Sequence, residues 1–288
     1  MRPSVIKVII FLTVVLAVGL GVSGTMSARK NGGTEFTASF GGAVASQLDG
    51  PAAASGPVRK FAVVIGIVYD NYEFGWINFA DKDAAAVSSL LTQKMGFPAE
   101  NVVLLQNSEA SRENILEALE WLATNPDLDE NSEVVIYYSG HGVRSGPGVG
   151  MNIPELPAAY ALAPFDFMNY DFKKGAGLIW DTELAAILSQ IKPAKMWVSI
   201  DSCSSGGFIR PGITGPNRVV TASSRGDELS SEIDLVQRGV LTQLLVAEGL
   251  ARGLTVEDAY AAAAPRASGE FGQNPQIADE YPGSMAFR

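Results

Sequence analysis

One cysteine and one histidine in 288 residues leave this chain no cross-link and little metal chemistry. A single thiol, Cys203, excludes any intramolecular disulfide and any zinc site built on several cysteines. A single imidazole, His141, would leave zinc to carboxylates, an uncommon ligand set. Basic side chains are also scarce. Against 31 Asp and Glu stand 21 Lys and Arg, giving a formal charge of −10 and a pI near 4.7. Nucleic acid is therefore not an expected partner, because phosphate binding needs clustered Lys and Arg. Basic substrates suit the charge better. No G-x-S-x-G elbow occurs, which disfavours a serine hydrolase. No internal repeat stands out. The remaining composition, 47% hydrophobic and 18% charged, can build a sizeable core.

The N-terminus is the one long stretch without charge. Arg2 and Lys7 precede an apolar run from Val8 to Val22, and no charge appears before Arg29. A secretory signal and an uncleaved membrane anchor both fit residues 1–28. Either places the rest outside the cytoplasm, secreted or anchored, with any membrane contact confined to this segment. Residues 29–57, rich in Gly, Ala and Ser and without periodicity, read as a flexible linker. The domain proper is expected over 58–288.

From Lys60 onward strands alternate with helices. Phe61–Val68 is a continuous apolar run, as a strand covered on both faces requires. Ala84, Val87, Leu91 and Met95 recur at helical spacing until Gly96 and Pro98 stop them. A short strand at 102–105 follows, then a helix capped by Ser111 with Ile115, Leu119 and Leu122 on one stripe. Further strands are expected at 133–138, 195–200 and 218–222, with a loop-rich stretch of about 35 residues before Asp181. Asp181 is expected to cap a helix ending near Pro193, and two last helices are expected near 238–249 and 255–265. This alternation predicts an α/β fold with a mostly parallel central sheet.

His141 lies three residues past Tyr138, and Cys203 three past Ile200, each at the end of an apolar strand. In a parallel sheet, catalytic groups gather beyond the C-terminal strand ends, so the two loops can face each other. Glycines at 140, 142, 206 and 207 permit tight turns there. A free thiol titrates near ~8.5, and an adjacent imidazole can take its proton so that sulfur attacks a carbonyl. Backbone N–H groups of Gly142 and Cys203 are candidates for the oxyanion hole. Each residue alone also fits a structural role; together they point to catalysis.

The segments Tyr137-Tyr138-Ser139-Gly140-His141-Gly142 and Asp201-Ser202-Cys203-Ser204-Ser205-Gly206-Gly207 resemble the catalytic motifs of caspase-like cysteine peptidases. The resemblance is to the metacaspase and bacterial orthocaspase branch and covers about residues 60–265. It implies a caspase–haemoglobinase fold, about six strands with helices on both faces, and a Cys–His dyad with Cys203 as nucleophile and His141 as acid/base. It implies cleavage of protein or peptide substrates after Arg or Lys, with Asp83 and Asp201 as the substrate-binding acids. A carboxylate two residues before the nucleophile can pair bidentately with a guanidinium. Asp83 also fits a helix N-terminal charge, and Asp201 a loop-capping carboxylate.

Departures from the pattern bear on cofactors. Ser204 follows the cysteine where metacaspases carry histidine. Calcium ligands are thin: residues 152–163 hold only Glu155, and Arg210 stands where an acid would be expected. Asp166, Asp171 and Asp181 read as solvated or capping. No metal or cofactor is expected, and calcium activation is disfavoured. Lys173-Lys174 and Arg225 fit either self-processing sites or solvated loops. Two other functions remain open: a catalytically silent binding module of the same fold, and a legumain- or gingipain-type endopeptidase of different specificity.

Overall fold

The computed structural model describes residues 58–288 apart from 71, 73–76, 147–150, 154, 155 and 158. The expected signal or anchor (1–28), the linker (29–57) and Glu155 lie outside the described residues. Among the described residues no helix is long and apolar enough to cross a membrane.

The first half contains β1 (Lys60–Gly66), α1 (Ala80–Lys94), β2 (Val102–Gln106), α2 (Arg112–Thr124) and β3 (Glu133–Ser139). Four short strands follow: β4 (Gly142–Ser145), β5 (Asn152–Ile153), β6 (Tyr160–Leu162) and β7 (Ile179–Trp180). Then come α3 (Asp181–Leu188), β8 (Lys195–Asp201), β9 (Arg218–Ala222), β10 (Glu232–Ile233), β11 (Arg238–Gly239), α4 (Val256–Phe271) and β12 (Gln276–Asp279). The main sheet runs β12-β9-β8-β3-β1-β2. All its pairings are parallel except the edge strand β12, which runs antiparallel to β9.

Strand periodicity divides the core in two. On β1 and β3, Val63, Ile65, Val134, Ile136 and Tyr138 face one side, where Ile115, Leu119, Leu122, Leu184 and Leu188 of α2 and α3 cover them. Ala62, Val64, Val135 and Tyr137 face the other, against Val87 and Leu91 of α1 and Val256 and Ala259 of α4. Both faces are dry, which is why these strands read as unbroken apolar runs. Ser111 caps α2 as expected, accepting from the Asn114 N–H at 3.2 Å.

Three expectations are corrected. Asp181 does not cap α3. Trp180 is the extended N-cap residue, without a side-chain cap bond, and Asp181 is the first helical residue. Its carboxylate is fully buried and paired with Arg210, so it is neither solvated nor capping. The helix expected at 238–249 begins as strand β11, and Thr242–Ala247 then forms a π-helical turn. The helix expected to end at 265 runs on to Phe271, where Gly272 (φ 67°) closes it. Pro265 is tolerated because Ala261, whose carbonyl loses its intrahelical donor, lies exposed to water. The loop-rich stretch between His141 and Asp181 holds the short strands β4–β7, which form a second sheet in the order β5-β4-β6-β7.

Candidate active site

The register of β3 and β8 sets the site. Tyr138 pairs with Ile200 and Ser139 with Asp201, so His141 and Cys203 each lie two residues beyond the last pair, off the same sheet edge. The two loops touch directly. The Gly140 N–H donates to the Asp201 carbonyl at 3.2 Å. A Cβ on Gly142 would fall 1.9 Å from the Cys203 carbonyl oxygen, so only glycine lets the loops close. Cys203 is followed by Ser204 in the left-handed region (φ 56°), whose N–H donates to the Glu228 carbonyl at 2.7 Å.

His141 is buried and held mainly through its backbone. Its N–H donates to Tyr69 Oη at 3.1 Å, and its carbonyl accepts from Tyr138 Oη at 2.8 Å and the Ala163 N–H at 3.2 Å. The imidazole lies against the Tyr69 ring, centroids 4.4 Å apart, and Nε2 has no hydrogen-bond partner. Burial lowers its pKa to about 4. Burial pushes the Cys203 thiol up, partly offset by the Ser230 N–H, which donates to Sγ at 3.4 Å. Thiol and imidazole therefore rest uncharged near neutral pH.

Both open onto a cleft of about 600 Å³ that Asp201, Ser230 and Gly239 also line. Asp201 Oδ2 accepts from the Thr242 N–H (3.1 Å) and hydroxyl (2.8 Å), and Oδ1 from the Ser230 hydroxyl (3.1 Å). Asp83, in the first turn of α1, is fully buried just behind this lining. Its Oδ2 accepts from the Gly239 N–H (3.0 Å) and Ser139 hydroxyl (3.3 Å), while Oδ1 has no partner. A Cβ on Gly239 would lie 2.5 Å from Asp201 Oδ2 and 3.0 Å from Asp83 Oδ2, so the two carboxylates converge on one glycine. Burial, and then the Asp201 charge, raises Asp83 to about 8; burial raises Asp201 as well. Burial thus favours the protonated form of both acids. Asp83 keeps its place in the first turn of α1, and Asp201 caps the Thr242 N–H while also lining the cleft.

The remaining sequence candidates lie apart. Arg210 pairs with Asp181, so a cation fills the position expected of a calcium-ligating acid. Asp166 accepts the Arg112 N–H at 2.8 Å, and Asp171 pairs with exposed Lys174. Among the described residues no cluster of three or more His, Cys, Asp or Glu side chains could hold a metal. Tyr69, Ser230, Gly239 and Thr242 all touch site residues and carry no roles in the sequence reading.

A family model for the metacaspase peptidase C14 domain matches residues 60–210. Metacaspase-3 of Arabidopsis thaliana is 31% identical over 156 residues, covering 51% of this chain and 40% of that protein. Metacaspase-1A of Aspergillus oryzae is 33% identical over 158 residues, covering 51% and 35%. Metacaspase-1 of Schizosaccharomyces pombe is 30% identical over 162 residues, covering 52% and 35%. The chain thus matches well under half the length of each relative. A solved Geobacter sulfurreducens protein superposes with TM-score 0.54 at 18% identity, over 76% of this chain and 92% of that one, which supports the fold alone. With a family model matched over more than half its length, the chain belongs to the metacaspase family, peptidase C14 domain.

Proposed function

We propose that the chain is an endopeptidase that uses Cys203 as nucleophile and His141 as general acid/base to cut after Arg or Lys. The shared register of β3 and β8 carries this reading, because it sets thiol and imidazole on one edge beside a converged carboxylate pair. His141 takes the thiol proton as Sγ attacks the scissile carbonyl, then returns it to the leaving amine as the C–N bond breaks. Water hydrolyses the resulting thioester. The N–H groups of Gly142 and Cys203 are suited to the oxyanion, since both belong to the loops that carry the reacting groups. Asp83 and Asp201 receive the guanidinium or ammonium group that precedes the scissile bond. No step runs through a metal. The basic-then-apolar pattern of residues 1–28 supports a secreted or membrane-anchored enzyme.

A panel of fluorogenic peptides varied at the residue before the scissile bond tests the reading. Turnover should favour Arg and Lys and vanish in Cys203→Ala. Preference for Asp or Asn would overturn the specificity. Absence of turnover with retained peptide binding would make the chain a silent module.

A further inference from the structure

We infer that Ser230 couples the substrate pocket to the nucleophile: a basic side chain in the pocket fastens the Ser230 hydroxyl to Asp201 and so holds the Ser230 N–H on the Cys203 sulfur. The inference rests on the roles given above to Cys203, Asp83 and Asp201. Ser230 bonds to both ends of the site, its N–H 3.4 Å from Sγ and its Oγ 3.1 Å from Asp201 Oδ1. A second acceptor competes for its single proton, because Ser223 Oγ lies 2.9 Å away and can direct its own proton to the Ser202 carbonyl at 3.1 Å. Ser230 O–H therefore has two destinations, one neutral and one a carboxylate.

The flanking residues are fixed. The Glu228 carbonyl accepts the Ser204 N–H, the Ser231 N–H donates to Gln273 Oε1 at 2.8 Å, and the Glu232 carboxylate accepts the Asn78 and Phe79 N–H groups. Freedom is left to Leu229, which is half exposed, and to the Ser230 side chain. The charged and titratable groups around the switch are Asp83 on α1, Tyr137 on β3, Glu232 on β10 and Arg238 on β11. With no cation bound, burial raises both neighbouring acids and so favours a proton on them, which weakens Asp201 as an acceptor. A bound cation displaces that proton, and the Ser230–Asp201 bond becomes charge-assisted. The N–H fixed on sulfur then favours the thiolate.

Having one cysteine makes the test clean. Alkylation of Cys203 by iodoacetamide is followed by mass spectrometry near neutral pH, with and without agmatine as a pocket-filling guanidinium. Agmatine should accelerate wild-type alkylation by about tenfold, the effect of one hydrogen bond to a charged group. Ser230→Ala should lose most of that acceleration, and Ser230→Thr, which keeps the hydroxyl, should retain it. Ser223→Ala removes the competing acceptor, so its resting rate should rise toward the agmatine-bound value. An undiminished acceleration in Ser230→Ala would leave only the cation's own charge as cause and overturn the coupling. So would an unchanged resting rate in Ser223→Ala, which decides the matter even if Ser230→Ala fails to fold. Absence of acceleration in a wild-type enzyme that cleaves Arg peptides also refutes it. Failure to cleave Arg peptides at all refutes the underlying reading instead.

Discussion

Asp83 is the residue whose environment makes the sharpest demands. Its pKa of about 8, against 3.8 for the free side chain, has two consequences of opposite kind. The first concerns substrate. On the proposed specificity a basic substrate displaces a proton from Asp83, so kcat/KM for Arg peptides should climb with pH until about 8 and then flatten, while peptides with a neutral residue there lack this limb. Parallel pH profiles check it. The second concerns stability. The folded state holds the Asp83 proton more tightly than the unfolded chain, so stability from this group is full below about 3.8 and lost as pH rises through about 8. Asp83→Asn should therefore stabilise the fold by roughly 1–3 kcal/mol at pH 8.5 and little at pH 4, read from urea midpoints, while weakening Arg peptide turnover. His141→Ala should lower kcat by about 10²–10⁴-fold. At this scale the sequence was informative where a residue type is rare: a lone imidazole and a lone thiol at two strand ends cannot be missed. It was silent about Ser230 and Thr242, because nothing local marks one serine or threonine among many as a site contact.

Elements explain why the rare residues meet. The β3–β8 register and the α1 turn are built from long apolar or periodic segments, which is why they were legible. Strands β4–β7 were not, since two to four residues show no period, and the π turn at Thr242–Ala247 reads as ordinary helix in any apolar pattern. Yet these illegible pieces close the site. Gly142 of β4 meets the Cys203 carbonyl, so Gly142→Ala should cut kcat by about 10²-fold through displacement of the loops, with the fold retained by circular dichroism. The far end of the sheet carries a stability test. Glu133 on β3 pairs with Lys195 of β8 at 2.7 Å and Lys60 of β1 at 3.2 Å, all near the strand starts and little exposed. Glu133→Ala leaves Lys60 and Lys195 only the carbonyls of Met95, Arg288 and Ala286 and should cost about 1.5–3 kcal/mol by urea unfolding, without touching the cleft.

For the molecule as a whole, a formal charge of −10 and an acidic pocket act in the same sense on a basic substrate. Association with Arg peptides should slow as salt shortens the screening length from about 30 Å at 0.01 M to about 3 Å at 1 M, with neutral peptides little affected. On the proposed function, the one thiol, at the end of β8, cuts chains after basic residues. Incubation with an unfolded protein substrate and mass-spectrometric mapping of every new C-terminus tests it most directly. New ends should fall at Arg and Lys and be absent with Cys203→Ala; ends at Asp, or cuts that survive Cys203→Ala, would overturn the assignment.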